Sequence, residues 1–275
     1  MRLGEQIEGD WAASLAALAW QLDCGVDEVI GDAGLDRYDL PEPVKPAAAV
    51  APAPPVPAPG RSGAAFVPPP EPPKIDPVAE ARGVAARAGS LEALREALEA
   101  FDLCDLRKGA RSLVFADGDP AARVLILGEA PGREEDMAGR PFVGRAGQLL
   151  DRMLAAIGLS RTSPDPAAGV YITNVMPWRP PGNRDPDEAE IAMMRPFVER
   201  HIALADPEVI VVMGNTPLMA LTGTRGIVRA RGSWTQALGR PLLPMVHPAY
   251  LLRNPLAKRE AWADLLALQA RLRGT

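Results

Sequence analysis

The chain has 275 residues, of which 47% are hydrophobic and 24% charged, and a formal net charge of -5. This composition is that of a globular protein and excludes fibrous and wholly disordered classes, while the acidic balance argues against indiscriminate nucleic-acid binding, which draws on phosphate neutralisation by Lys and Arg. No apolar run approaches the roughly 20 residues of a membrane-spanning helix, and the acids in MRLGEQIEGDWAASLAALAW do not suit a secretory signal, so a cytoplasmic protein without membrane contact is expected.

Residues 1–40 have helical spacing, with Trp11, Leu15, Leu18, Ala19 and Leu22 on one stripe. They predict a small helical N-terminal extension, too short to be stable alone. Residues 41–74, PEPVKPAAAVAPAPPVPAPGRSGAAFVPPPEPPK, exclude a helix interior and lack the large apolar side chains of a core. They read as a disordered Pro/Ala-rich linker of polyproline type, and residues 1–74 together are a candidate tether for a protein partner. Cys24 and Cys104 fall on either side of this linker and form no C-x-x-C pair, so neither a disulfide framework nor a zinc site is indicated.

The remaining residues, 75–275, read as one domain. A helical face runs over 77–101, with Leu91, Leu94, Leu98 and Phe101 in register. Strands are predicted at VLILG (124–128), GVYITNV (169–175), VIVVMG (209–214) and, more weakly, PLLPMVH (241–247). Helical stretches over 145–158, 187–205, 215–222 and 255–273 separate or follow them. Near-continuous apolar strands alternating with helices predict a three-layer α/β/α fold around a central, mainly parallel four-stranded sheet.

Every predicted strand ends in a polar or Gly-rich signal. Gly128-Glu129-Ala130-Pro131-Gly132 follows the first, Asn174 and then WRPPGNRDP the second, Gly214-Asn215 the third, and His247-Pro248-Ala249-Tyr250-Leu251-Leu252-Arg253 the fourth. Parallel strands would bring these tails to one sheet edge, where open α/β sheets bind ligands. Glu129, Phe142, Asn174 and His247 would then line one pocket. An aromatic face, a side-chain amide and an imidazole donor suit a planar heterocycle with alternating carbonyl and N–H groups. Glu134, Glu135 and Asp136 also fit a helix N-terminal charge cluster, and His201 a packed helix residue. Arg225, Arg229 and Arg231 read as solvated cations or phosphate contacts.

GEAPGREED (128–136), GRPFVGRAGQLLD (139–151), YITNV followed by RPPGNR (171–184) and HPAYLLR (247–253) together resemble the uracil-DNA glycosylase superfamily, and within it the thermostable iron–sulfur type usually called family 4. The resemblance spans about residues 101–270. It implies a DNA-repair glycosylase that flips uracil out of DNA and hydrolyses its N-glycosidic bond, leaving an abasic site. The catalytic set it implies is His247, Glu129 and Glu135, with His247 donating to uracil O2 and one of the two glutamates orienting water. An aspartate orients water in another branch of the superfamily, at the position of Ala130 here. Phe142 and Asn174, with Gly128 and Ala130, would hold the uracil. Tyr250, Leu251, Arg253, Arg179 and Asn183 would contact DNA. The chain departs from family 4 at the positions of its four cluster cysteines, which here are Phe101, Cys104, Trp178 and Met194. One thiolate cannot hold a [4Fe–4S] cluster, so no cluster, metal or other cofactor is expected. The partner implied is uracil-containing DNA, met by a monomer. Loss of the cysteines keeps an alternative open, a catalytically weak protein that binds uracil-DNA or protects damaged sites.

Overall fold

The computed structural model describes residues 76–274, together with Leu15. Apart from Leu15, the helical extension and the linker expected over 1–40 and 41–74 lie outside the described residues. The chain divides into two units, residues 1–69 and 70–275, and residues 76–274 belong to the second.

That unit opens with α1 (Pro77–Arg87) and α2 (Leu91–Ala100), where the sequence predicts one continuous helix. The interruption has a local cause. Ser90 leaves helical geometry and its hydroxyl accepts from the Ala93 N–H at 3.2 Å, so it caps a new helix, as Asp76 caps α1. A single turn, α3 (Leu106–Gly109), follows.

The sheet has six strands: β1 (Ala116–Gly118), β2 (Val124–Gly128), β3 (Val170–Asn174), β4 (Val209–Met213), β5 (Thr235–Ala237) and β6 (Arg240–Met245). Their order is β1-β3-β2-β4-β6-β5. The inner four are those expected from the sequence, and they run parallel. The other two strands lie at the edges, pair antiparallel and were not anticipated. Three residues each, Ala-Asp-Gly and Thr-Gln-Ala, carry no apolar run to announce a strand, and their short length limits what the edges offer to another chain.

The helices α4 (Arg133–Ala138) and α5 (Arg145–Ala155) follow β2, α6 (Glu188–Ala205) follows β3, and α7 (Asn215–Thr222) and α8 (Ile227–Ala230) follow β4. After β6 come α9 (Pro248–Arg253) and α10 (Lys258–Arg273). Because alternate strand residues point to opposite faces, each inner strand feeds two cores. Val124, Ile126, Ile172 and Val211 pack with Leu150 and Leu154 of α5 and Leu265 and Leu268 of α10. Leu125, Leu127, Tyr171 and Val212 pack on the other side with Leu94 and Leu98 of α2, Met194 and Phe197 of α6, and Leu218 of α7. Helices therefore cover both faces of the sheet, as the three-layer expectation requires. The chain leaves β2 for one side of the sheet and returns to the other side at β4, which makes β2 and β4 the switch point where such folds open a crevice. Among the described residues no helix is long and apolar enough to cross a membrane.

Candidate active site

The carboxyl ends of the parallel strands meet at a cleft of about 530 Å³ whose lining includes Glu129, Ala130, Glu135, Phe142, Asn174 and His247. The four residues read from separate strand ends thus share one site. Gly128 makes their approach possible. A Cβ there would lie 2.3 Å from Asn174 Oδ1 and 2.5 Å from the Phe142 ring, so any side chain would push the amide and the aromatic ring apart.

Phe142 is buried and holds a left-handed backbone, φ 53°, a costly conformation for a bulky residue. The surroundings fix it. The Arg161 guanidinium donates to the Pro141 and Phe142 carbonyls, both at 2.9 Å, and is itself held by Asp151 and Asp117. Glu135 ties the same loop from the other side. Its Oε1 accepts from the Val143 and Gly144 N–H groups at 3.0 and 2.9 Å, and its Oε2 from the Gly132 N–H at 3.1 Å. Both oxygens of this carboxylate are therefore engaged with backbone. Asp136, next to it, accepts from the Arg111 and Ser112 N–H groups. The acidic cluster of α4 thus stitches loops together, beyond any effect on the helix dipole.

His247 caps α9. The Ala249 N–H donates to His247 Nδ1 at 3.1 Å. Desolvation pushes the imidazole pKa down to about 4, with Glu135 opposing that shift and Arg253 adding to it, so the ring is neutral at pH 7. A neutral ring that accepts at Nδ1 carries its proton on Nε2. The ring stacks beside Phe142, centroids 5.2 Å apart and planes 26° from parallel. The Asn174 side-chain amide makes no hydrogen bond with a protein group among the described residues, although the residue is only 7% exposed. A buried amide in that state invites a ligand with complementary donors and acceptors.

Glu129 faces Gly214, where a Cβ would lie 3.4 Å from its Oε2. Its carboxyl pKa is raised above the ordinary value by burial and then by the charge of Asp185, against a hydrogen bond with Thr216 that favours the ion. Asp185 lines the cleft and was not anticipated, since nothing in RPPGNRDP distinguishes it from a solvated acid.

At the rim, Asn183, Tyr250 and Arg253 line the cleft. Arg179 lies behind this rim, its Nε donating to Asn183 Oδ1 at 2.8 Å. One expectation needs correction. Leu251 is 1% exposed and packs with Val246 and Ala261. It anchors α9 and is not available to DNA, whereas Leu252 lines the cleft and is 36% exposed. The helical turn of α9 points consecutive leucines in different directions. Arg225 is bound to Glu188, and Arg231 to Asp264 and Glu260, so neither is a free cation. His201 is packed, as expected, against Phe115, and its Nε2 lies 2.9 Å from the Tyr171 hydroxyl.

Phe101, Cys104, Trp178 and Met194 are all at most 5% exposed and belong to one apolar core. The Phe101 ring meets Phe197 edge-on, centroids 5.2 Å apart, and burial raises the Cys104 thiol pKa. Among the described residues no group of three or more His, Cys, Asp or Glu side chains is placed to hold a metal ion.

A family model described as the uracil DNA glycosylase superfamily matches residues 115–266. A type-4 uracil-DNA glycosylase of Thermotoga maritima is 38% identical over 167 residues, 60% of this chain and 84% of that protein. One from Pyrobaculum aerophilum is 37% identical over 184 residues, 64% of this chain and 91% of that protein. A type-5 uracil-DNA glycosylase of Thermus thermophilus is 32% identical over 135 residues, 46% of this chain and 61% of that protein.

Proposed function

The chain belongs to the uracil-DNA glycosylase superfamily, and on that premise we propose that it extrudes uracil from DNA and hydrolyses its N-glycosidic bond, leaving an abasic site. The reading rests above all on His247, a neutral imidazole whose Nδ1 is occupied and whose Nε2–H is the remaining donor. As the bond breaks, its electron pair leaves with the pyrimidine while positive character grows on the deoxyribose. A fixed donor at the forming anion then contributes more than a strong base would. His247 Nε2–H donates to uracil O2, the Asn174 amide reads the O4 and N3 edge, and Phe142 offers its ring face to the base. Gly128 and Ala130 leave room for the ring to approach the loop.

Water supplies the oxygen that ends on C1′. Of the two glutamates, Glu129 is better suited to orient it, because both Glu135 oxygens already accept from backbone N–H groups. Glu135 acts as a positioning residue for the Phe142 loop. Tyr250, Leu252, Arg253 and Asn183 meet the DNA around the flipped nucleotide, with Arg179 supporting Asn183.

A [4Fe–4S] cluster does not fit the residues at the family 4 cysteine positions. Three have no thiol, and the four side chains are buried together in one apolar core. The reading therefore assigns no cluster to the protein and routes no step through one. It also takes the protein as a cytoplasmic monomer whose residues 1–74 tether a replication or repair partner.

Uracil release from labelled single-uracil oligonucleotides, single- and double-stranded, tests the proposal, with Asn174→Ala as paired control. Release by the native chain that the variant loses is the expected result. Tight, uracil-dependent binding without release would replace it with the damage-binding alternative.

A further inference from the structure

Beside the cleft, the chain leaves α9 through a tight turn that the assigned roles do not use. Asn254 closes it, its N–H donating to the Tyr250 carbonyl at 2.8 Å and its carbonyl accepting from the Ala257 N–H at 3.1 Å. The 3-10 turn Pro255–Ala257 then leads directly into α10. At its tip Leu256 is 94% exposed. A lone exposed leucine would mean little, but this one has a particular setting. Leu252, 36% exposed, precedes it at the cleft rim, and Leu251 roots the segment in the core. Arg253, Lys258 and Arg259 surround it, all exposed, and none forms an ion pair among the described residues. Elsewhere the surface arginines are mostly paired, as Arg184 is with Glu190 and Arg225 with Glu188.

We propose that Leu256 is a second apolar wedge, entering the duplex beside the point where Leu252 meets it and pressing on the strand opposite the uracil, while Lys258 and Arg259 hold that strand's phosphates. The partner surface is thus the intact complementary strand, and this inference rests on the uracil-excision reading above. Proteins that kink duplexes insert side chains of this kind between base steps and hold the bent backbone with cations. A wedge needs a rigid base, and the Asn254-capped turn between two helices supplies one. A protein partner would be expected to cover the wider apolar face that Trp262 and Leu266, each 43% exposed, extend along α10. The unpaired cations are placed instead around Leu256, which favours a polyanion.

Leu256→Ala in the full chain tests this. Its side chain is in solvent, so folding should be unaffected. Single-turnover excision should slow about tenfold on duplex DNA, the loss of one partly buried leucine contact, and stay unchanged on a single strand. Leu256→Phe should restore the duplex rate. A second readout does not depend on excision: 2-aminopurine opposite the uracil should brighten when the native chain binds, and brighten much less with Leu256→Ala. Equal rates on both substrates and equal brightening would overturn the proposal and favour a protein-docking face. Equal slowing on both substrates would overturn it too. If the native chain releases no uracil, the excision reading falls, while the fluorescence still decides whether Leu256 enters the duplex.

Discussion

Two neighbouring regions of this domain have kept and lost different things. In the cleft, Glu129, Phe142, Asn174 and His247 stand together as the family resemblance implies. Behind β3, the positions at which that resemblance expects cluster cysteines hold Phe101, Trp178 and Met194 beside the single Cys104, packed as ordinary core. Both regions draw on the same stretch of chain, since Trp178 lies four residues after Asn174. They can diverge because they are supported differently. The cleft is positioned by strand ends, by the close approach that Gly128 permits, and by the Arg161 and Glu135 clamps on the Phe142 loop. The apolar region joins α2 to α6, and side-chain packing can replace metal ligation there without moving a strand tip.

The sharpest way to break this comparison is to strike each region and read both activity and stability. His247→Ala removes the donor to the developing charge and should slow uracil release by about 100-fold or more, with little change in the denaturation midpoint. Met194→Ala should do the reverse. Met194 is fully buried, so the cavity should cost about 2–5 kcal/mol in urea or guanidinium unfolding, while release per folded molecule stays near the native value. A Met194→Ala protein that is fully folded yet slow would tie the apolar region to the chemistry. Leu251→Ala and Leu252→Ala divide one helix in the same manner. The first should lower stability by about 2–4 kcal/mol, and the second should leave stability unchanged and weaken duplex cleavage.

The legible parts of the molecule are those written in local pattern. Continuous apolar runs gave away the four inner strands, and the polar residue ending each run placed the cleft, because parallel strands all present the same end. The edge strands were hidden because three residues of mixed polarity have no period to detect. The break between α1 and α2 was hidden too, since the apolar stripe continues through Ser90 and only the cap reveals the new helix. Leu251 was misassigned because facing depends on how α9 docks, which no motif encodes. Arg161 and Asp185 were invisible for a different reason. Arg161 reaches a loop 20 residues away, and Asp185 approaches Glu129 across the cleft from another strand's loop, so the role of each exists only after folding.

Asp185 also yields the subtlest prediction. Burial and the Asp185 charge both raise the Glu129 carboxyl pKa, so this group stays protonated to higher pH than an ordinary glutamate. If ionised Glu129 orients the water, release should climb with pH through that raised value. His247, with a pKa near 4, is neutral above that pH and adds no limb there. Replacing Asp185 by Asn removes one of the two raising influences and leaves burial in place. The acid limb of the rate profile should therefore move to lower pH without vanishing, at a plateau close to native because Asp185 is an exposed rim residue. Glu129→Gln should instead abolish the limb and lower the plateau. A profile that Asp185→Asn leaves in place would separate the limb from Glu129 and return the water to another group, whereas a shift confined to the acid side would link the cleft's one unforeseen carboxylate to the step that Glu129 performs.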